Sequence, residues 1–219
     1  MSVSDNTKKI KVEIPAHVKL VAVTKTYPVD VIIQAYNTGH KIFGENRVQE
    51  LAPKHQDLPK DIEWHLIGHL QTNKVKYIAP FVSMIHSVDS IKLLQEINKC
   101  AEKSHRTIDC LLQIHIAQEE TKFGLSIEEA EEIFSSQELP QMKNIRIAGL
   151  MGMATLTDDE NQIRKEFKSL KNFFDSHCQL PTANSRLEVL SMGMSSDYKI
   201  AIEEGSNLIR VGSLIFGTR

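Results

Sequence analysis

Lys25 closes a short apolar run, residues 20–25, and the turn-forming sequence Thr26-Tyr27-Pro28 follows it directly. A run of this kind bounded by a proline predicts a buried parallel strand, whose alternation places Val21, Val23 and Lys25 on one face. A lysine among core valines must reach water, pair with an anion or be held neutral. A neutral lysine can form a Schiff base with an aldehyde, although the pattern alone favours a side chain that simply extends to water.

Two glycine-serine loops near the end of the sequence could hold a phosphate. One contains Gly193 and Ser195 within the sequence SMGMSSD, and the other contains Gly212 and Ser213. Glycine adopts backbone angles that let amide N–H groups converge, and we expect Ser195 to open a helix whose N–H groups and dipole favour an anion. Either loop alone is more typical of an ordinary N-cap or tight turn. The two loops together favour phosphate binding.

The elements that would position these residues alternate along the chain. Short runs rich in Val, Ile and Leu are separated by longer amphipathic stretches, which indicates repeated βα units on a parallel sheet. Eight strands fit a single-domain (β/α)₈ TIM barrel better than a doubly wound open sheet, because no GxGxxG follows the first strand. The predicted strands are 20–25, 41–45, 64–68, 82–87, 110–116, 146–149, 187–190 and 208–211, and the clearest predicted helices are 91–103, 127–135, 162–174 and 201–204.

Barrel closure would bring the two ends of the chain together. The eighth strand of a closed barrel neighbours the first, so Lys25 and Arg210, 185 residues apart in the sequence, can flank one cavity. Loops after strands seven and eight are also where such barrels often bind phosphate. A phosphate site, an amine that forms an imine and a guanidinium together describe pyridoxal 5′-phosphate (PLP). Lys25 would bond its aldehyde carbon and Arg210 would face its pyridine nitrogen, with a phosphate clamp or a surface charge as alternative roles for Arg210.

Composition restricts the class of protein. The chain has 219 residues, 41% hydrophobic content and a net charge of -2, which is typical of one compact domain without the basic excess of a nucleic-acid-binding protein. Its three cysteines form no CxxC pair and suggest a reducing cytoplasm without disulfides or a zinc site. We find neither a secretory signal nor a membrane span in the sequence.

The histidines give little indication of a metal site. His65 and His69 are spaced as HxxxH, but the first lies in a predicted strand and no HExxH is present. We therefore expect no metal. His86 and His115 come near strand ends, where we expect polar core or rim residues, with stacking on a cofactor as the alternative.

Five segments, taken in order, resemble the pyridoxal phosphate homeostasis proteins, single-domain relatives of the alanine racemase barrel. The likeness extends over residues 18–219. The segments are AVTKTYP, GENRVQE, WHLIGHLQTNK, GLMGMA and LSMGMSSDYKIAIEEGSNLIRVGSLIFGTR, of which the third and fifth are the most specific.

The resemblance implies an alanine racemase N-terminal-like TIM barrel, with the cofactor PLP on Lys25 and Arg210 at the pyridine nitrogen. It also implies that Asn46 lines the pocket. The residues that it places around the phosphate are Met194, Ser195, Gly212 and Ser213. Members of this family have no established catalytic reaction and act in vitamin B6 and amino-acid balance, so we expect no catalytic residues.

We expect a cytoplasmic PLP carrier or homeostasis protein, a monomer or weak homodimer, whose partners are PLP and PLP-dependent apoenzymes. Arginine has only donors and stays charged, so Arg210 would require an unprotonated pyridine nitrogen, which makes the ring a poor electron sink. The sequence ends eight residues after Val211, without the second β domain that racemising relatives carry. Two alternatives stay open, a low-activity PLP-dependent amino-acid racemase and a Schiff-base aldolase that acts on phosphorylated sugars.

The first 17 residues depart from the family pattern. Family members usually begin with an amphipathic helix, whereas here Ile10, Val12 and Ile14 alternate with a period of two. We therefore divide the chain into an N-terminal segment, residues 1–17, and a PLP-binding barrel, residues 18–219. We expect the segment, paired as a strand, or a partner subunit to cover the seam between strands eight and one.

Overall fold

Eight parallel strands form the centre of the molecule, and the computed structural model describes residues 2–118, 123–178 and 184–217. The strands are β1 (Lys19–Val23), β2 (Ile42–Glu45), β3 (Glu63–Leu66), β4 (Met84–Val88), β5 (Ile108–Gln113), β6 (Ile145–Met151), β7 (Ser185–Ser191) and β8 (Leu208–Val211). They pair in chain order, and β1 also pairs with β8, so the sheet closes. The predicted TIM barrel is confirmed, and the open sheet is wrong.

Helices surround this barrel. They are α1 (Val3–Glu13), α2 (Val29–Tyr36), α3 (Val48–Asp57), α4 (Ile91–Lys103), α5 (Ile127–Ser135), α6 (Glu160–Cys178), α7 (Tyr198–Glu203) and α8 (Ser213–Phe216). A 3₁₀ helix, Thr72–Tyr77, follows β3 in place of an α-helix, and a second one, Leu139–Gln141, precedes β6. Serine side chains cap the two helices that the sequence predicted best, since Ser90 accepts the Leu93 N–H and Ser126 accepts the Glu129 N–H. No helix in the described ranges is long and apolar enough to cross a membrane.

Every predicted strand and helix is present, but most of their ends lie one to four residues from the predicted positions. The bounds of α4, α5 and β8 match, and β6 and β7 are longer than predicted. Strand β1 ends at Val23, so Lys25 lies in the loop beyond the strand rather than on it. The chain turns there because Thr26 adopts a φ of 65°. Thr121 and Lys122, which follow the fifth strand in the sequence, lie outside the described residues.

The N-terminal segment is a helix, and the predicted strand is wrong. The Ser2 side chain accepts the Asp5 N–H while the Asp5 carboxylate accepts the Ser2 N–H, a capping box that starts α1. The alternation of isoleucine and valine does not reflect a strand face. Ile10 is 3% exposed, Val12 is 86% exposed, and Ile14 already lies beyond the helix at its C-cap.

Helix α1 lies between α8 and α2, the helices that follow the last and the first strand. Asn6 Nδ2 donates to the Ile215 carbonyl of α8 at 3.0 Å, and Ser4 Oγ donates to the Gln34 carbonyl of α2 at 3.0 Å. The chain's own first helix therefore covers the seam between β8 and β1, where we had expected a strand or a partner subunit.

Two groups of buried residues differ in character. The main core lies between sheet and helices and includes Trp64, Phe43 and Phe167, each fully buried. Inside the barrel a small apolar cluster is formed by Leu111, Ala148 and Met151. The strands also contain buried polar or charged residues: Glu45, His65, His86, Ser87, Gln113, Ser185, Ser191 and Arg210. The barrel interior is therefore built to hold a charge, which an all-aliphatic interior would not do.

Candidate functional site

A cavity of about 600 Å³ is formed at the C-terminal ends of the strands. Its volume lies within the range of about 300–1,000 Å³ that small-molecule sites occupy. The lining residues are Val23, Lys25, Tyr27, Asn46, Ile67, Met153, Met194, Ser195, Ser196, Arg210, Gly212, Ser213, Leu214 and Gly217. All seven residues that the sequence analysis selected are among them, so the fold brings the complete predicted set to one cavity.

The pairing of β1 with β8 brings Lys25 and Arg210 to this cavity. In that register Val21 lies opposite Arg210, and Ala22 lies opposite Val211. Lys25 is exposed at the mouth, whereas Arg210 is 4% exposed. The cavity therefore has an accessible amine at its entrance and a guanidinium at its base.

The backbone and side chain of Ser191 hold Arg210 in place. Arg210 Nη1 donates to the Ser191 carbonyl at 2.9 Å and to Ser191 Oγ at 2.6 Å, and Nη2 donates to the Gly152 carbonyl at 3.0 Å. Burial lowers the pKa of Arg210 to about 10, so the side chain is still charged at neutral pH. These bonds use three of the five guanidinium hydrogens, which leaves donors for an acceptor in the cavity.

A chain of buried hydrogen bonds continues from Arg210 into the barrel. Ser191 Oγ lies 3.1 Å from His86 Nδ1, and His86 Nε2 lies 2.9 Å from His65 Nδ1. Because Ser191 Oγ accepts a hydrogen from Arg210, its own hydrogen is available to His86 Nδ1. This pattern assigns the His86 hydrogen to Nε2, from which it is donated to His65. His86 is therefore a core residue below the cavity and does not line it.

Burial keeps both of these imidazoles neutral. It lowers the pKa of His65 to about 3, with the charge of Lys19 contributing. It also lowers the pKa of His86 well below its ordinary value, and the charge of Arg210 acts in the same direction. Neutral rings next to a buried guanidinium avoid a repulsion between like charges.

The loop after β7 is shaped by Gly193 and Asp197. Gly193 has a φ of 95°, and its carbonyl accepts the Arg210 N–H at 3.0 Å. The carboxylate of Asp197 accepts the Met194 N–H at 2.6 Å. Asp197 occupies the N-cap position of α7, which begins at Tyr198, so our expectation that Ser195 opens this helix is wrong.

Ser195 instead connects the two glycine-serine loops. Its Oγ accepts the Gly212 N–H at 3.3 Å. Ser213 and Leu214 are the first two residues of α8, and their N–H groups have no acceptor within the helix because they open it. A side chain on Gly212 would place its Cβ 3.2 Å from the Val23 carbonyl oxygen, so glycine lets β8 approach β1 closely at the cavity wall.

Asn46 reaches the cavity from the end of β2. A Cβ atom on Gly68 would lie 2.4 Å from the Asn46 carbonyl oxygen, so the loop after β3 packs directly on the Asn46 backbone. The Ile67 N–H donates to the Glu45 carbonyl at 2.9 Å and holds the same two segments together. Gly68 is therefore the residue that permits this contact.

Sequence reasoning did not assign several residues of the site. Tyr27, Ile67 and Leu214 line the cavity, and their positions follow from loop geometry rather than from a motif. The link between His65, His86 and Ser191 joins three strands. Only the register of the closed barrel brings these residues together.

The other histidine expectation concerned metal. His69 stacks on Phe123, and its Nδ1 lies 3.1 Å from Asp89 Oδ2. Among residues 2–118, 123–178 and 184–217, no group of three or more metal-ligating side chains is present.

The described residues suit the ring nitrogen, the phosphate and the aldehyde of PLP. The buried guanidinium of Arg210 has donors to spare for an unprotonated ring nitrogen. The N–H groups that open α8, together with Ser195, are donors suited to a phosphate. Lys25 is the lysine that lines the cavity within the described part of the chain, and an amine is what the aldehyde requires.

Comparison with known sequences gives a consistent result. The sequence model of the family described as "Alanine racemase, N-terminal domain" matches residues 2–219. The pyridoxal phosphate homeostasis protein of Aquifex aeolicus (strain VF5) is 42% identical over 203 residues, which cover 92% of this chain and 87% of that protein. The protein of the same name from Helicobacter pylori (strain ATCC 700392 / 26695) is 42% identical over 201 residues, 91% of this chain and 87% of the relative.

Solved structures resemble the whole chain. PipY of Synechococcus elongatus PCC7942, determined with PLP bound, superposes with a TM-score of 0.88 at 34% identity and covers 99% of this chain and 100% of its own. Alanine racemase of Clostridium difficile 630 superposes with a TM-score of 0.79 at 16% identity, over 100% of this chain and 57% of the racemase. At that identity the racemase shows a shared fold alone.

The shape of the loop after β7 predicts that alanine is less well tolerated at Gly193 than at Gly39. A methyl group on Gly193 would lie 2.6 Å from Ala201 Cβ and 2.9 Å from Tyr198 Cα, whereas one on Gly39, at a φ of 79°, would meet no atom within 4 Å. Gly39→Ala should therefore lower the free energy of unfolding by about 1–2 kcal/mol, the penalty for the left-handed backbone. Gly193→Ala should lower it by about 2–5 kcal/mol, because overpacking adds to that penalty. Urea denaturation measures both, and equal losses would contradict the described loop.

The neutral histidines predict a loss of stability in mild acid. His65 and His86, and also His40, whose pKa burial lowers to about 4, bind protons more readily in the unfolded chain than in the folded one. As the pH falls below about 6.5, each should therefore reduce the free energy of unfolding by up to about 1.4 kcal/mol per pH unit. Urea denaturation between about pH 6.5 and 4.5 measures the slope.

Nitrogen NMR of the imidazole rings reports the protonation of His65 and His86 individually and distinguishes it from that of the other groups that titrate. Both rings should stay neutral throughout the same interval, with the His86 hydrogen on Nε2. A constant free energy of unfolding, or a His86 ring that becomes charged near its ordinary pKa, would contradict the buried chain of hydrogen bonds.

Proposed function

The chain belongs to the pyridoxal phosphate homeostasis protein family, with the alanine racemase N-terminal fold, and from that membership we propose that it binds PLP in the cavity as a Schiff base on Lys25. Its role is in PLP homeostasis, as a monomer or weak homodimer, without a defined catalytic reaction of its own. The observation that carries the proposal is one cavity that contains Lys25, the buried Arg210 and both glycine-serine loops. The PLP-bound relative PipY supports the same ligand.

The phosphate is assigned to the two loops at the C-terminal ends of β7 and β8. Ser213 and Leu214 supply N–H groups without helical acceptors, and Ser195 supplies a hydroxyl beside them. Met194 lines the same wall. Because the Gly212 N–H donates to Ser195 Oγ, the two loops are tied together, and a bound anion would contact both.

Arg210 orients the ring. Its guanidinium is held by Ser191 and Gly152, so its free donors are fixed in direction before any ligand arrives. A charged donor at this position favours an unprotonated ring nitrogen. When bound, the cofactor supplies an electrophilic aldehyde carbon and a ring that can accept electrons, and the unprotonated ring accepts them poorly. Asn46 also lines the cavity.

The lining residues support a carrier more than a racemase. Among the described residues at the cavity, the ionisable side chains are Lys25, Tyr27 and Arg210, and Arg210 stays charged. The Tyr27 hydroxyl donates to the Gly217 carbonyl at 2.6 Å. Racemisation needs proton transfer on both faces of the substrate carbon. Lys25 would serve one face, and a second base for the other face is not apparent among these residues.

The exposed position of Lys25 supports release as well as capture. An amine at the mouth of the cavity leaves the bond to the cofactor accessible to water and to other amines. PLP-dependent apoenzymes, which present such a lysine, are therefore the partners that the proposal includes.

The test is the visible absorption spectrum of purified protein incubated with PLP, before and after borohydride. The wild type and Lys199→Ala, which removes an exposed lysine of α7 outside the cavity, should both show a visible band that borohydride removes. Lys25→Ala should lack it, because no other lysine lines the cavity in the described part of the chain. Peptide mapping should place the reduced adduct on Lys25.

Three results would contradict the proposal. Protein that stays colourless with PLP but binds a sugar phosphate in a Lys25-dependent way would favour the aldolase. Steady conversion of an L-amino acid to its D form, lost in Lys25→Ala, would establish a racemase. A band that survives in Lys25→Ala would place the covalent bond elsewhere.

A further inference from the structure

The loop that presents Lys25 contains a strained residue. Thr26 has a φ of 65°, in the left-handed region that β-branched residues rarely adopt. Within the described residues, His105 is the one other non-glycine residue with a positive φ. A strained backbone of this kind persists where the surrounding structure holds it, and such residues cluster at ligand sites. The contacts that hold Thr26 are therefore of functional interest.

Three charged side chains hold the backbone on both sides of the cavity lysine. Glu50 Oε2, from α3, accepts the Thr26 N–H at 2.7 Å. Lys54 Nζ, one turn later in α3, donates to the Thr24 carbonyl at 2.8 Å. Glu45 Oε1, at the end of β2, accepts from Lys54 Nζ at 2.5 Å and from Thr24 Oγ1 at 2.6 Å. We call these three side chains, Glu45, Glu50 and Lys54, the α3 clamp.

The charged side chains of the clamp are largely buried, and the stability of the fold alone does not explain why charged residues are placed there. The side chains of Glu45 and Lys54 are 0% and 11% exposed, and that of Glu50 is 25% exposed. Glu45 Oε2 has no hydrogen-bond partner within the described residues, and burial raises the pKa of this carboxyl while Lys54 opposes the rise. Buried ion pairs are often no more stabilising than apolar residues of equal volume. Their value here is directional, because Glu50 and Lys54 bond the backbone of Thr26 and Thr24, while Glu45 holds Lys54 and the Thr24 side chain.

We propose that the α3 clamp positions Lys25 for covalent capture of the cofactor by holding the strained turn at Thr26. Glu45, Glu50 and Lys54 do not line the cavity, so they act on Lys25 through the main chain and not on the ligand. The inference rests on the proposed function, because it assigns a role in bringing Lys25 to an aldehyde. It predicts that covalent capture and noncovalent binding can be separated by mutation.

Pyridoxine 5′-phosphate separates covalent capture from noncovalent binding. It carries an alcohol in place of the aldehyde and cannot form a covalent bond with Lys25. Glu50→Ala should lower the equilibrium constant for Schiff-base formation between PLP and Lys25, read from the visible band that borohydride removes, by about tenfold, the effect of losing one charge-assisted hydrogen bond. Its affinity for pyridoxine 5′-phosphate should stay within about twofold of the wild type, since the phosphate loops and Arg210 are untouched. Glu50→Gln, which keeps an oxygen acceptor for the Thr26 N–H, should lose less capture than Glu50→Ala.

Thr26→Gly provides the decisive variant. Glycine adopts a positive φ without strain, so the turn no longer needs the clamp to hold it. The double variant Glu50→Ala with Thr26→Gly should therefore recover most of the capture that Glu50→Ala loses. Urea denaturation of all four variants shows whether each is folded. If Glu50→Ala does not fold, Glu50→Gln and Thr26→Gly still test the clamp.

The outcomes distinguish this inference from the proposed function. Unchanged capture in Glu50→Ala, a parallel loss of pyridoxine 5′-phosphate affinity, or failure of Thr26→Gly to restore capture would each overturn the clamp alone. A wild-type protein that binds neither compound would overturn the proposed function and the clamp with it. Selective loss in Glu50→Ala with recovery in the double variant is the result that we expect.

Discussion

The pairing of β1 with β8 is the contact on which the site depends. It sets Val21 opposite Arg210. Lys25 and Arg210, which are 185 residues apart in the sequence, therefore lie at the same cavity. In an open sheet the amine and the guanidinium would belong to opposite edges, with no common cavity. Helix α1 covers this seam from outside by bonding to α8 and α2. Closure, the cavity and the helical cover therefore form one structural unit.

The buried charge of Arg210 determines what surrounds it. A guanidinium that is 4% exposed must have its donors satisfied, and Ser191 and Gly152 supply three acceptors. His86 and His65 extend the chain of hydrogen bonds but stay neutral, so Arg210 is the charged side chain of this group. The α3 clamp uses charge differently. Lys54 pairs with both Glu45 and Glu50, and Glu50 and Lys54 bond the backbone on either side of Lys25.

Sequence patterns predicted the barrel and the residues at its mouth. The spacing of apolar residues in the strands and the glycines of the loops are local signals, and the rule that the last strand of a TIM barrel neighbours the first brings the two ends of the chain together. The structure brings Lys25 and Arg210 to one cavity as that rule requires, together with Asn46, which the family resemblance indicates. The N-terminal helix was missed because alternating Ile10, Val12 and Ile14 imitate a strand, although Ser2 followed three residues later by Asp5 was an available capping signal. The bonds between His65, His86 and Ser191 depend on register between distant strands. The strain at Thr26 depends on contacts with α3, and neither has a signature in sequence.

The most direct test of the account is a crystal structure of the protein loaded with PLP. We predict continuous density from Lys25 Nζ to the cofactor, a ring nitrogen within hydrogen-bond distance of Arg210, and the phosphate between Ser195 and the first residues of α8. A cofactor joined to a different lysine, or a phosphate bound away from both glycine-serine loops, would contradict the central claim that barrel closure assembles this site.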